Sequence, residues 1–247
     1  MHNGKPRKLL EIGSGSGAWA IQAAEAYPDA DVLAIDINPL PARPLPSNVR
    51  FQRLDIMDPS PFAAGSFDIV HVRLVLRHVG FNLFPHPTIT VIPRIIDPVT
   101  PRGWLLIEVD FRHGTACLEN APGLKGGFTG VITSMKSHQG DPHFGPNLNA
   151  ALERSSAFSE IKTLWTVLTA IMEVLSKDPM LAGLSKTIRQ SLMSGIGVQK
   201  LNPKTVVTGG LTREVQEVFI ADMGAEAGGD WSYSLDMYFA WVRKHVV

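Results

Sequence analysis

Leu9-Leu10-Glu11-Ile12-Gly13-Ser14-Gly15-Ser16-Gly17, followed by Val32-Leu33-Ala34-Ile35-Asp36, decides the fold of this 247-residue chain. The apolar run Leu9 to Ile12 is short and closed by glycine, as a strand covered on both faces would be. Gly13, Gly15 and Gly17 form a turn without β-carbons, able to take positive φ and to let a ligand lie against the backbone. Ala18 to Ala26 reads as the helix that follows. Asp36 ends the second strand 19 residues after Gly17, where a carboxylate can accept hydrogen bonds from both hydroxyls of a ribose and would repel a 2′-phosphate. The pattern describes a nucleoside-binding half-site; without a ligand it would be only a glycine-rich strand-to-helix turn.

Later segments repeat the strand pattern. Val49 to Ile56 reads as a third strand ending in the acid Asp55, Phe67 to Val72 as a fourth, and Pro98 to Glu108 as a turn into a fifth. Strands and helices alternate through Asp110, which argues for a parallel sheet with helices on both faces. Pro39 to Pro46 is a loop on the ribose side, and Arg112 to Asn147, rich in glycine, proline and polar residues, is a long excursion of the functional or mobile kind. Beyond it, Glu160 to Thr169 has strand composition, Pro179 to Ser194 and Thr212 to Ala227 look helical, and Asp236 to Val242 reads as a closing strand.

The glycine spacing separates two nucleoside cofactors. A dinucleotide site usually carries G-x-G-x-x-G with a pyrophosphate on the helix N-terminus, whereas here G-x-G-x-G follows closely on Glu11. With the later strands in their order, this resembles class I methyltransferases that use S-adenosyl-L-methionine, strongly from Leu9 to Asp110 and weakly beyond. That cofactor lacks a pyrophosphate and carries sulfonium and ammonium cations, which suits an acid beside the turn. Phe67-Asp68-Ile69-Val70-His71-Val72-Arg73 and Leu175-Ser176-Lys177-Asp178-Pro179-Met180-Leu181-Ala182 are similar to segments of fungal secondary-metabolite methyltransferases, a group that includes regulators of secondary metabolism.

The resemblance implies an α/β fold with a Rossmann-like, doubly wound, mostly parallel seven-stranded sheet and an antiparallel last strand. It implies a single domain over residues 1–247, with the cofactor half in 1–110 and a substrate-side insertion and C-terminal elements in 111–247. Glu11, Gly13, Ser14, Gly15, Gly17, Asp36, Ile37, Asp55, Ile56, Val72 and Arg73 would hold the cofactor. Asp55 would accept from the adenine amine and the Ile56 amide would donate to a ring nitrogen. Arg73 to Val79 resembles the helix after strand four, and Pro101-Arg102-Gly103 departs from the Pro-Gly-Gly usual at the turn into strand five. Such enzymes commonly carry N-terminal helices over cofactor and substrate, so a form without that lid would have an open site.

Composition fits an enzyme of small molecules. A 45% hydrophobic content supplies a large core, and Lys plus Arg equals Asp plus Glu at 23 each, so no basic excess marks a nucleic-acid partner. Cys117, the only cysteine, excludes an intrachain disulfide and fits a reducing compartment. No apolar stretch has the length of a membrane span, and no signal-peptide pattern opens the chain. A cytoplasmic protein is expected, with the nucleus left open, binding a small-molecule substrate rather than nucleic acid or membrane. Its oligomeric state, a homodimer included, stays undetermined.

A methyl acceptor that is an amine or thiolate needs mainly alignment, whereas a hydroxyl usually needs a base. His113, just past strand five, and His71, near the end of strand four, are the candidate catalytic residues. In bland roles they would be an exposed loop histidine and a satisfied histidine near the sheet edge, and His78 is expected to pack or cap. His138, Asp141 and His143 have metal-ligating types but lie in a loop without a fourth ligand, so no metal is expected. Phe81, Phe84, Phe128, Met135 and Trp165 are candidates for an apolar acceptor pocket or for ordinary core. The expectation is O-methylation of a small, apolar or aromatic secondary metabolite. The alternatives are a cofactor-binding regulatory or scaffold protein and a non-methylating, cofactor-assisted enzyme.

Overall fold

Leu9, Leu10 and Ile12 are all buried, on opposite faces of one strand, which is the mark of a sheet covered on both sides. The computed structural model describes residues 4–59, 61–76, 87–111, 125–126, 129–130, 132–133, 144–171, 183, 187, 190, 212–224 and 232–246. In chain order the elements are β1 (Lys8–Ile12), α1 (Ala18–Ala26), β2 (Asp31–Asp36), β3 (Val49–Arg53) and β4 (Phe67–Arg73). There follow α2 (Pro87–Ile96), β5 (Val99–Phe111), α3 (Phe144–Arg154), β6 (Phe158–Ile171), α4 (Arg213–Gly224) and β7 (Ser232–Lys244). The seven strands form one sheet in the order β3-β2-β1-β4-β5-β7-β6, parallel from β3 through β5, with β7 antiparallel. This is the doubly wound, Rossmann-like class that the resemblance implies.

The chain divides into two compact units. The first comprises Met1–Val109, His143–Trp165 and Tyr238–Val247. On one face of its sheet, Leu9, Val32 and Ala34 meet Ala20, Ala23 and Ala24 of α1, where small side chains let an alanine-rich helix approach closely. On the other face, Leu10, Ile12, Val70, Val72, Leu105 and Ile107 pack with Val91, Ile92 and Ile95 of α2 and Phe144, Leu148 and Leu152 of α3. Each of these buried side chains larger than alanine contributes about 1.5–3 kcal/mol of transfer free energy. The second unit, Asp110–Pro142 with Thr166–Met237, contains α4, whose Phe219 is fully buried.

Three local expectations need correction. Arg73 closes β4 instead of opening a helix: Leu74 takes φ of 58° and its amide donates to the Glu108 carbonyl at 2.8 Å, which turns the chain. Residues 77–86, including His78, lie outside the described residues. Pro101-Arg102-Gly103 does not precede the fifth strand but bulges within it, since Phe67 pairs with Val99 while Ile69 already pairs with Trp104. Finally, α3 begins at Phe144, inside the stretch expected to be irregular, because Phe144, Leu148 and Leu152 recur every fourth residue and bury one helical face.

Candidate functional site

The turn after β1 is built by hydrogen bonds that only a glycine-rich segment can make in this space. Gly13 and Ser14 amides both donate to the Ile35 carbonyl, at 2.8 and 2.9 Å, which ties the turn to β2. Gly13, Gly15 and Gly17 have φ of 70°, 51° and 73°, all in the left-handed region. A β-carbon on Gly13 would stand 2.0 Å from Val75 Cγ2, whereas one on Gly15 would meet nothing within 4 Å. Gly13 is therefore fixed by packing, while Gly15 borders open space that a ligand can occupy. The Ser14 hydroxyl between them is buried without a hydrogen-bond partner, a rare state for a native side chain and one that a bound group relieves.

Asp36 ends β2 beside this turn. Its Oδ2 accepts from the Gly15 amide and its Oδ1 from the Asn38 amide, both at 2.8 Å, so each oxygen has a lone pair left for a ribose hydroxyl. Ile37 next to it is 55% exposed and Leu74 is 38% exposed, apolar side chains displayed at the ends of β2 and β4. Asp55 is exposed and its Oδ1 caps the following turn by accepting from the Met57 amide at 2.8 Å, while Ile56 is buried. Val72 is fully buried in β4, and Arg73 at its end is half-buried.

Parallel register places Glu11 beside His71, His71 beside Leu106 and Arg73 beside Glu108. Glu11, His71 and Glu108 thus share one sheet face, where α1 begins. Glu11 Oε2 accepts from the Ala20 amide at 3.0 Å. Trp19 stacks on the His71 ring, with centroids 4.0 Å apart and planes at 14°. His71 Nε2 lies 3.2 Å from Glu108 Oε1, and Nδ1 lies 3.8 Å from Glu11 Oε1. Burial pushes the Glu11 carboxyl up to about 7, against the lowering effects of the Ala20 amide and Arg73. Glu108 is held below its ordinary range, first by its hydrogen bond with His71 and against the opposing effect of burial.

His71 and Glu11 are each 1% exposed, so His71 faces protein rather than solvent. Sequence reasoning missed its partners Trp19 and Glu108; strand parity and the first-turn position of Trp19 are signals that could have found them. An open cavity of about 340 Å³ on this face is bounded by Trp19, His71, Leu106, Glu108, Leu164, Phe239 and Trp241. Trp165 is 59% exposed and does not line it. His113, Phe81, Phe84, Phe128 and Met135, together with His138, Asp141 and His143, lie outside the described residues. Among the described residues no group of three or more His, Cys, Asp or Glu side chains is arranged to hold a metal ion.

The residues present fit a group that joins a nucleoside to a cationic amino acid. Asp36 has lone pairs that a ribose would need, Ile37 and Leu74 would offer apolar surface to a base, the open side of Gly15 and the unpartnered Ser14 hydroxyl would leave room and a polar contact, and Glu11 would supply a carboxyl for positive charge. Comparison with known proteins agrees. Residues 2–131 match a family described as a methyltransferase domain. The chain is 55% identical over 244 residues to Methyltransferase str3 of Strobilurus tenacellus, covering 98% of this chain and 85% of that one. It is 31% identical over 106 residues to the secondary metabolism regulator laeA of Monascus pilosus, covering 42% of this chain and 27% of that one. Among solved structures, a Haemonchus contortus phosphoethanolamine N-methyltransferase 2 in complex with phosphomonomethylethanolamine and S-adenosylhomocysteine shares the fold, with a TM-score of 0.54 and 16% identity, over 97% of this chain and 49% of that one. The chain belongs to the methyltransferase-domain family.

Proposed function

We propose that this methyltransferase methylates a small, apolar or aromatic secondary metabolite, at oxygen. The observation that carries the proposal is the extent of likeness. The match to a methyltransferase runs over 98% of the chain, the C-terminal half included, whereas the match to a secondary-metabolism regulator covers 42%. A family's substrate surfaces vary on a common frame, so likeness over nearly all of this chain speaks for an enzyme more than for a scaffold. Balanced charge and the absence of a basic excess suit an uncharged acceptor.

When bound, the cofactor supplies an electrophilic methyl on a sulfonium. Asp36, with its two oxygens braced by the Gly15 and Asn38 amides, would hold the ribose. Asp55 and the Ile56 amide would select adenine, Ile37 would offer apolar surface to the base, and Glu11, Ser14 and Arg73 would serve the amino-acid end. His113 is the base for a hydroxyl acceptor. Its support is its place in the sequence, two residues past the end of β5, and the chemistry of an imidazole as a base.

Incubation with methyl-labelled S-adenosylmethionine and a panel of phenols, carboxylic acids, amines and thiols, read by mass spectrometry, tests the proposal. Label on an oxygen of a phenol or acid, lost in His113→Ala with cofactor binding kept, is the expected result. Label on protein or on no acceptor, despite tight cofactor binding, would overturn it.

A further inference from the structure

Besides the Ser14 hydroxyl, two buried side-chain atoms among the described residues lack hydrogen-bond partners, and they face each other: Glu11 Oε1 and His71 Nδ1, 3.8 Å apart. Buried polar atoms are almost always paired, so this juxtaposition needs an account. A single proton supplies it. The imidazole is held by the Trp19 stack and by Nε2, whose contact to Glu108 at 3.2 Å is best made with Nε2 as donor to an ionised carboxylate. The Nδ1 lone pair then points toward Glu11. A carboxylic acid at Glu11 can donate its Oε1 proton there after a small side-chain rotation, while Oε2 keeps the Ala20 amide.

We propose that His71 is a positioning residue of the cofactor site: its Nδ1 holds the proton of a neutral Glu11 in the empty protein, and cationic cofactor binding discharges that proton. The bond that breaks is Oε1–H, the proton goes to solvent, and Glu11 is left as a carboxylate facing the ligand's positive charge. Nothing is oxidised or reduced. The proposal rests on the reading of the glycine turn as the cofactor's seat, and it gives His71 a role through Glu11 rather than on the acceptor.

The surrounding charges set the balance. From β2, Asp36 favours the neutral acid; from β5, Glu108 does the same; from β4, Arg73 favours the carboxylate; and α1 contributes the Ala20 amide, which also favours it. Burial outweighs these, which keeps the acid form populated near neutrality. An incoming cation adds to the side of Arg73 and tips the pair toward ionisation.

The test titrates the whole chain calorimetrically with S-adenosylmethionine, no acceptor present, in two buffers of different ionisation heat between pH 6 and 8. Infrared difference spectra are taken on the same samples. For the wild type we expect proton release on binding, an affinity that rises about tenfold from pH 6 to pH 8, and loss of a protonated-carboxyl band. In Glu11→Gln the release attributable to the protein, the rise and the band all disappear, and any residue common to both proteins belongs to the ligand's own amine. In His71→Phe, which keeps a ring against Trp19 but removes the acceptor, the neutral acid loses its partner and the affinity rise moves to lower pH. Equal proton release by wild type and Glu11→Gln, or an unmoved profile in a folded His71→Phe, would overturn the inference. Should His71→Phe not fold, the band lost in wild type and absent in Glu11→Gln still decides. Tight binding without proton release would sink the inference alone; no binding by the wild type would sink the cofactor seat as well.

Discussion

Gly13 and Gly15 have the same left-handed backbone but opposite surroundings, so alanine at each should fail in a different way. Placing a β-carbon on left-handed backbone costs about 1–2 kcal/mol at either position. At Gly13 the new methyl also stands 2.0 Å from Val75 Cγ2 and 3.3 Å from Val75 Cβ, an overlap that backbone shifts relieve at about 1–3 kcal/mol. Gly13→Ala should therefore lose about 2–5 kcal/mol, a large share of the roughly 5–15 kcal/mol that holds an ordinary domain together. Gly15→Ala should lose only the backbone part, because nothing lies within 4 Å, yet its methyl enters the space left for the cofactor. Urea unfolding of both variants, with calorimetric titration by S-adenosylhomocysteine, separates stability from binding. Adding Val75→Ala to Gly13→Ala should recover part of the loss, as expected for two residues in contact. Equal destabilisation at both glycines would refute the packing account, and undiminished binding by Gly15→Ala would refute the seat of the cofactor.

Other consequences follow from the same structure. Arg102 holds φ of 62° in the β5 bulge, so Arg102→Gly should stabilise the fold by about 1 kcal/mol in thermal unfolding; a loss would show that the arginine side chain matters more than its backbone. Lys244 donates to the carbonyls of Ile96 at 3.0 Å, Asp97 at 3.4 Å and Val99 at 2.8 Å, fastening β7 to the end of α2. Lys244→Met should cost about 1–3 kcal/mol in urea unfolding, and no change would mean that water replaces those bonds. Trp19→Leu removes the ring that lies on His71 and should weaken cofactor affinity several-fold while leaving β1 and β2 intact, as hydrogen exchange can report.

The cofactor half was legible because its signals are local. A glycine at positive φ, an apolar run of strand length and an acid at a strand end each act within a few residues, and Ala18–Ala26 emerges with the same bounds in sequence and structure. What stayed hidden depends on contacts between distant segments. His71 lies in an ordinary strand pattern, and that Trp19, 52 residues earlier, covers its ring and Glu108, 37 residues later, meets its Nε2 follows only once the strand register and the start of α1 are combined. The chain closes β4 at Arg73 and turns at Leu74 for a related reason: their composition is helical, but the Leu74 amide is drawn to the Glu108 carbonyl across the sheet, and tertiary hydrogen bonding overrides propensity at these two residues. By contrast, the missed helix Phe144–Arg154 carried its own signal in Phe144, Leu148 and Leu152, obscured by the glycine and proline beside them.

Glu11 joins stability to binding. Its folded pKa of about 7 lies above the ordinary 4.5, so the folded state takes up a proton more readily than the unfolded chain. The stabilisation is fully present below pH 4.5 and is lost as pH rises through about 7, on the order of 3 kcal/mol in all. Above pH 7 the empty protein thus carries a buried carboxylate whose oxygen Oε1 has no hydrogen-bond partner. A cation brought beside that carboxylate returns part of the lost stability, so the rise in melting temperature on adding S-adenosylmethionine should be larger at pH 8 than at pH 6. Glu11→Gln should flatten both curves, with an empty protein more stable than wild type at pH 8. If the wild type melts equally at both pH values and gains equally from the cofactor, burial at Glu11 does not govern this site, and the carboxyl is solvated in solution.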